Sequence, residues 1–133
     1  MSSIESLIDG LLDEEENVHG VAIVGLDGTL VTQTENWDIS GDLGAINELI
    51  QNNPDLGQKG ITSITIQGIK YMVVENTEER KIGTNITGKG HIIIAPIPVG
   101  GKGALICYIS SQVSPRDALF AVQSYASKLI SLI

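Results

Sequence analysis

Between residues 61 and 110 the chain repeats one pattern five times: a short run rich in isoleucine, valine and threonine, then a break. The runs are 61–66, 69–74, 80–85, 91–97 and 104–110, and the breaks contain Gln67-Gly68, Glu78-Glu79, Gly88-Lys89-Gly90 and Gly100-Gly101-Lys102-Gly103. β-Branched and aromatic residues suit a pleated, half-buried surface, and breaks this short join neighbouring strands. Five such strands in succession predict an antiparallel meander.

The flanking segments add helices and a hairpin. Residues 21–26 are apolar, Asp27-Gly28 is the strongest two-residue hairpin signal, and 29–33 resumes the strand pattern. Ser2-Ser3-Ile4-Glu5 has capping-box spacing, after which Ile4, Leu7, Ile8, Leu11 and Leu12 recur at helical intervals. Gly10 and the acidic run from Asp13 to Glu16 should blur the end of that helix into a solvated loop. Leu43, Ile46, Leu49 and Ile50 predict a second helix over 42–52, barred from continuing by Pro54. Ser114-Pro115 opens a third, whose stripe of Ala118, Val122, Tyr125, Leu129 and Ile133 carries it to residue 133. The order is α+β, and the simplest packing hides the terminal helices' stripes on one face of a central antiparallel sheet.

A chain of 133 residues with 42% hydrophobic content reads as one domain, 1–133, able to fill its own core. Cys107 is the single cysteine, so there is no internal disulfide and no thiolate zinc site, and a reducing, cytoplasmic setting fits. No apolar stretch is long enough for a transmembrane segment, and Glu5 and Asp9 stand where a signal peptide would be basic. Net charge is −8, unfavourable for nucleic acid. The charge is unevenly placed: residues 1–55 hold twelve acids and no lysine or arginine, whereas 56–133 hold all eight basic residues against four acids. Segregated onto different faces, that split would steer an acidic protein partner; otherwise it is ordinary surface solvation.

Individual motifs point away from catalysis. The glycine-rich 98–103 segment lacks phosphate-loop spacing, and His19 and His91 lie in no ligand pattern. Asp13 to Glu16 lacks the alternation and glycine of a calcium loop. Asn85-Ile86-Thr87 has glycosylation spacing without a route to the machinery. Cys107, between Ile106 and Tyr108, reads as a small buried hydrophobe, and Trp37 as an anchor packing its loop onto the sheet. No convergent polar site assembles, so the chain is expected to be non-enzymatic and to need no cofactor or metal. The last helix carries Leu119 and Phe120 beside Arg116, apolar on more than one side, which means either deep burial or a patch for a partner.

Taken together, Ile23-Val24-Gly25-Leu26-Asp27-Gly28-Thr29-Leu30, the strand Ile69-Lys70-Tyr71-Met72-Val73-Val74, the strand Ala104-Leu105-Ile106-Cys107-Tyr108-Ile109 and the helix start Val113-Ser114-Pro115 resemble profilins, in the same order along nearly the whole chain. Lys-Tyr-Met-Val is the most specific of these motifs. The resemblance implies a profilin-like fold, with the terminal helices on one face of the sheet and a smaller helix on the other. It also implies a cytoplasmic, cytoskeleton-associated monomer that binds monomeric actin and regulates polymerisation, using the later strands and the start of the last helix. By position the implied actin contacts are Lys70, Lys89, His91, Arg116, Leu119, Phe120 and Gln123.

Two departures qualify the likeness. Ser3, Ser6 and Val31 stand where the family's aromatics hold polyproline, so binding of a proline-rich ligand is expected to be weak or absent. Thr84, Asn85 and Ile86 replace a segment often rich in Lys and Arg, which leaves Lys89, Lys102 and Lys128 for any weak phosphoinositide binding. This divergence points to the archaeal, Asgard-type profilins. The alternative is a roadblock or longin-like module, which shares the hairpin and helix-flanked sheet and works around a small GTPase.

Overall fold

The computed structural model describes residues 3–133. Helix α1 spans Ile4–Glu14, followed by strands β1 (Val18–Val24) and β2 (Leu30–Gln33), helix α2 (Leu43–Ile50), strands β3 (Ser63–Ile66), β4 (Ile69–Asn76), β5 (Lys81–Thr84), β6 (His91–Ile97) and β7 (Gly103–Ile109), and helix α3 (Pro115–Leu129). One seven-stranded sheet has the order β2-β1-β7-β6-β5-β4-β3 with every neighbouring pair antiparallel. The predicted meander is therefore β3 to β7, and the first hairpin adds onto its end through β1.

Strand alternation sorts the apolar residues into two cores. Val21, Ile23, Ile93, Ala95, Ile97, Leu105, Cys107 and Ile109 meet α1 and α3 on one face. Ala22, Val24, Ile92, Ile94, Ala104 and Ile106 meet α2, Trp37 and Ile39 on the other. Cover on both faces explains why β6 and β7 read as almost unbroken apolar runs. Each fully buried Leu or Ile contributes roughly 1.5–3 kcal/mol. Cys107 lies wholly inside, where burial pushes its thiol pKa upward.

The helix ends differ from the sequence reading in instructive ways. Ser2 lies outside the described residues; the N-cap is Ser3, whose Oγ accepts from Ser6 N at 3.1 Å while Ser6 Oγ accepts from Ser3 N at 3.0 Å. Gly10 does not end α1. Tyr125 of α3 lies against it, so a Cβ at position 10 would come within 3.0 Å of the Tyr125 hydroxyl, and the helix runs on through Asp13 and Glu14. The β1–β2 connection is five residues rather than two: Asp27 Oδ1 accepts from Thr29 N and Oγ1, and Gly28 takes the left-handed conformation at φ +83°. At α3, Ser114 caps Arg116 N and Asp117 reaches back to Ser114 N, with Pro115 at the first helical position. The helix stops at Leu129, short of the predicted terminus, and Leu132 and Ile133 fold back onto the core.

Lys81 is not part of the basic surface. It is 1% exposed, and its Nζ donates to Asn52 O, Asn53 Oδ1, Asn76 Oδ1 and Thr77 O. The rest of the charge split does not separate along the sheet: β1 and β2 carry no acid, and the acidic segment reaches the β3 end through α2 and through Asp42, whose Oδ2 accepts from Gln67 N.

Candidate functional site

Strand register decides which side chains share the face that carries α1 and α3. Directly paired residues of antiparallel strands point the same way. Met72 pairs with Thr84, Thr84 with His91 and His91 with Ile109; in the next row Glu75 pairs with Ile82, Ile82 with Ile93 and Ile93 with Cys107. Ile93, Cys107 and Ile109 lie in the core under the terminal helices, so Met72, Glu75, Ile82, Thr84 and His91 face that side too. Lys70 joins them by alternation from Met72. α3 rests on β6 and β7. Beyond its cover Lys70 and Val74 are exposed, while Met72, Thr84 and His91 are half-buried.

The start of α3 borders this open sheet surface. Arg116, Phe120 and Gln123 recur at i, i+4 and i+7 and form one stripe. Phe120 is 85% exposed, a large apolar ring held in solvent. Leu119 instead packs against the core, so of the two apolar candidates Phe120 alone presents its side chain outward. Arg116 Nη2 donates to Glu75 Oε1 at 2.7 Å, which carries the stripe across to β4. The other Glu75 oxygen accepts from Nε of Arg80. The hydrogen bond from Arg116 is the main influence holding the Glu75 carboxyl below the usual carboxylate range; burial opposes it and Arg80 assists. Gln123 turns toward a shallow groove between α3 and the β6–β7 connection, lined also by Glu79, Pro96, Pro98, Val99 and Ile130.

At the far end of the face one side chain fixes two lysines. Asn85 Nδ2 donates to Lys70 O at 2.8 Å, and Asn85 Oδ1 accepts from Lys89 N at 3.1 Å. The Tyr108 hydroxyl donates to Lys89 O, pinning the same hairpin from β7. His91 Nδ1 lies 3.1 Å from Thr84 Oγ1 in the row between them. Lys70, His91, Arg116 and Phe120 thus lie on the α1/α3 side of the sheet, with Gln123 at the groove and Lys89 in the exposed β5–β6 hairpin at the far end.

The sequence reading missed Met72, Glu75 and Thr84. Period-two alternation from Lys70 was the signal for Met72. Glu75 had none, because a bulge between Val73 and Glu75 breaks the alternation. Lys89, Lys102 and Lys128 do not gather: the first two flank the seven residues of β6, roughly 20 Å apart, and Lys128 sits over the Tyr125 ring at 4.3 Å.

A model of the family Profilin matches residues 2–132. The chain belongs to the profilin family. It is 65% identical to Loki profilin-1 of Lokiarchaeum over 130 residues, 98% of this chain and 97% of that one, which makes it a profilin of the archaeal, Asgard type. Among solved structures it is similar to the profilin in a LokiProfilin2/rabbit actin complex, with 65% identity, full coverage of both chains and a TM-score of 0.95. A Roadblock/LC7 domain from Streptomyces avermitillis, at 15% identity, covers 96% of this profilin and 99% of its own chain with a TM-score of 0.57. That more distant match shares the layered fold.

Proposed function

We propose that this profilin binds monomeric actin through the surface bordered by Lys70, Lys89, His91, Arg116, Phe120 and Gln123, and so regulates polymerisation in the cytoplasm without covalent chemistry. The observation that carries the reading is Phe120: an 85% exposed aromatic ring beside a guanidinium is the composition of an interface anchor. The relative of 65% identity in complex with rabbit actin supports the choice of partner. The face also has the room. A standard interface takes roughly 800 Å² per partner, about an eighth of the 6616 Å² this chain exposes.

In this arrangement Phe120 and Met72 supply apolar contact, and Lys70 and Lys89 meet carboxylates at the rim. The test is a pyrene-actin polymerisation assay with sedimentation of the mixture. The wild-type chain should slow spontaneous nucleation in proportion to dose, and Arg116→Glu combined with Phe120→Ala should abolish the effect. Unchanged actin affinity in that double variant would show the face to be wrong.

A further inference from the structure

Glu75 is an acid in the middle of a surface proposed to meet an acidic partner. By charge alone it should oppose docking, and its removal should tighten the complex. Its surroundings argue the opposite. The bulge between Val73 and Glu75 re-aims the β4 side chain toward α3. There the Glu75 side chain is 18% exposed and its carboxylate lies between two guanidinium groups, Arg80 from the β4–β5 connection and Arg116 from the first turn of α3. Arg116 sits at a helix N-terminus, where the macrodipole repels a cation, and its side chain is 60% exposed. Left alone, a long side chain in that position would point into water in many rotamers.

We infer that Glu75 is a positioning residue: by gripping one edge of the Arg116 guanidinium it holds the remaining donors over the sheet face, ready for a partner carboxylate. Glu75 therefore strengthens the docking of an acidic protein although it carries the same sign of charge. The inference rests on the actin reading of this face. It goes beyond that reading by giving Arg116 a fixed orientation in the unbound protein, so that part of the ordering cost of binding has already been met.

The experiment measures the actin-monomer Kd of wild type, Glu75→Gln, Glu75→Asp, Arg116→Ala and the Glu75→Gln/Arg116→Ala double variant, with circular dichroism to confirm folding. Glu75→Gln should weaken binding roughly three- to tenfold, and that loss should disappear in the Arg116→Ala background because the residue acts through Arg116. Glu75→Asp should recover part of it. In the unbound wild type the Arg116 Nε–H resonance should show a high heteronuclear NOE that Glu75→Gln removes, a readout that a purely structural role would not move. Glu75→Gln binding as tightly as wild type or tighter, or losing as much affinity without Arg116 as with it, would overturn this inference alone. No binding by wild type would overturn the actin reading and the inference together.

Discussion

The Trp37 side chain lies directly against Gly20: a methyl group at Gly20 would come within 2.9 Å of Trp37 Cβ and Cγ. The glycine lets the loop after β2 close over β1, and the indole, 4% exposed, stacks on Tyr108 with centroids 6.0 Å apart. Tyr108 in turn holds Lys89 by its carbonyl, so the packing of this loop reaches the hairpin that carries Lys89, at the edge of the proposed docking face. Gly20→Ala should cost about 1–3 kcal/mol by overpacking a close-packed site. Urea denaturation checks this, and a variant as stable as wild type would mean the indole has room to move.

Lys81 gives a second test. Its ammonium ties the segment after α2, through Asn52 O at 2.7 Å and Asn53 Oδ1 at 3.3 Å, to Asn76 Oδ1 at 2.6 Å at the end of β4 and Thr77 O at 3.1 Å in the turn that follows. Lys81→Met keeps the apolar stem and leaves these acceptors without their donor, for an expected loss of about 2–4 kcal/mol. The pH dependence has a defined sign. Burial pulls the Lys81 pKa down from 10.5 to about 8, with Asp55 and Glu78 pulling the other way. Between those values the unfolded chain holds a proton that the folded chain has released, so the Lys81 contribution to stability rises with pH across that window. The stability difference between wild type and Lys81→Met should be larger at about pH 9.5 than at about pH 7. A difference that shrinks would mean folding favours the charged amine.

Tyr71 should behave in the opposite way to Lys81. It is fully buried, and its hydroxyl has no hydrogen-bond partner among the described residues. Burial drives its phenol pKa upward. Tyr71→Phe removes a desolvated polar group and keeps the ring, so stability should be unchanged or higher by up to about 1.5 kcal/mol. A lower melting temperature in scanning calorimetry would show that the hydroxyl is satisfied in solution.

These residues also mark where the sequence was legible. The strands were, because breaks with glycine or charge interrupt β-branched runs and each run pairs with the next. The division into two cores was not, because β6 and β7 are apolar on both faces, so nothing in the sequence marks Ile92 as facing α2 and Ile93 as facing α3. Lys81 was not, since beside Arg80 it looks like a solvated strand end, and only its pairing with Ile94 places it on the α2 face. Glu75 was hidden by the bulge, and Arg116, its partner, is 41 residues away along the chain. Gly10 read as a helix end because its reason for being there, Tyr125, comes from the last helix.

Recognition of proline-rich ligands uses aromatic rings that stack on a preformed extended helix. At the terminal helices Ser3 and Ser6 instead spend their hydroxyls on the α1 cap, and Val31 is 42% exposed with no ring to offer. Tyr125 is half-buried, with its hydroxyl against Gly10 and Lys128 over its face. Polyproline should therefore leave the NMR spectrum of this profilin essentially unchanged at millimolar ligand. Restoring rings with Ser6→Tyr and Val31→Trp should produce perturbations confined to α1, β2 and α3. Adding Ser3→Trp should extend the stacking surface while costing about 1 kcal/mol of stability, because the N-cap oxygen is lost. Strong shifts in the unaltered protein would show that the terminal helices hold proline without stacked rings.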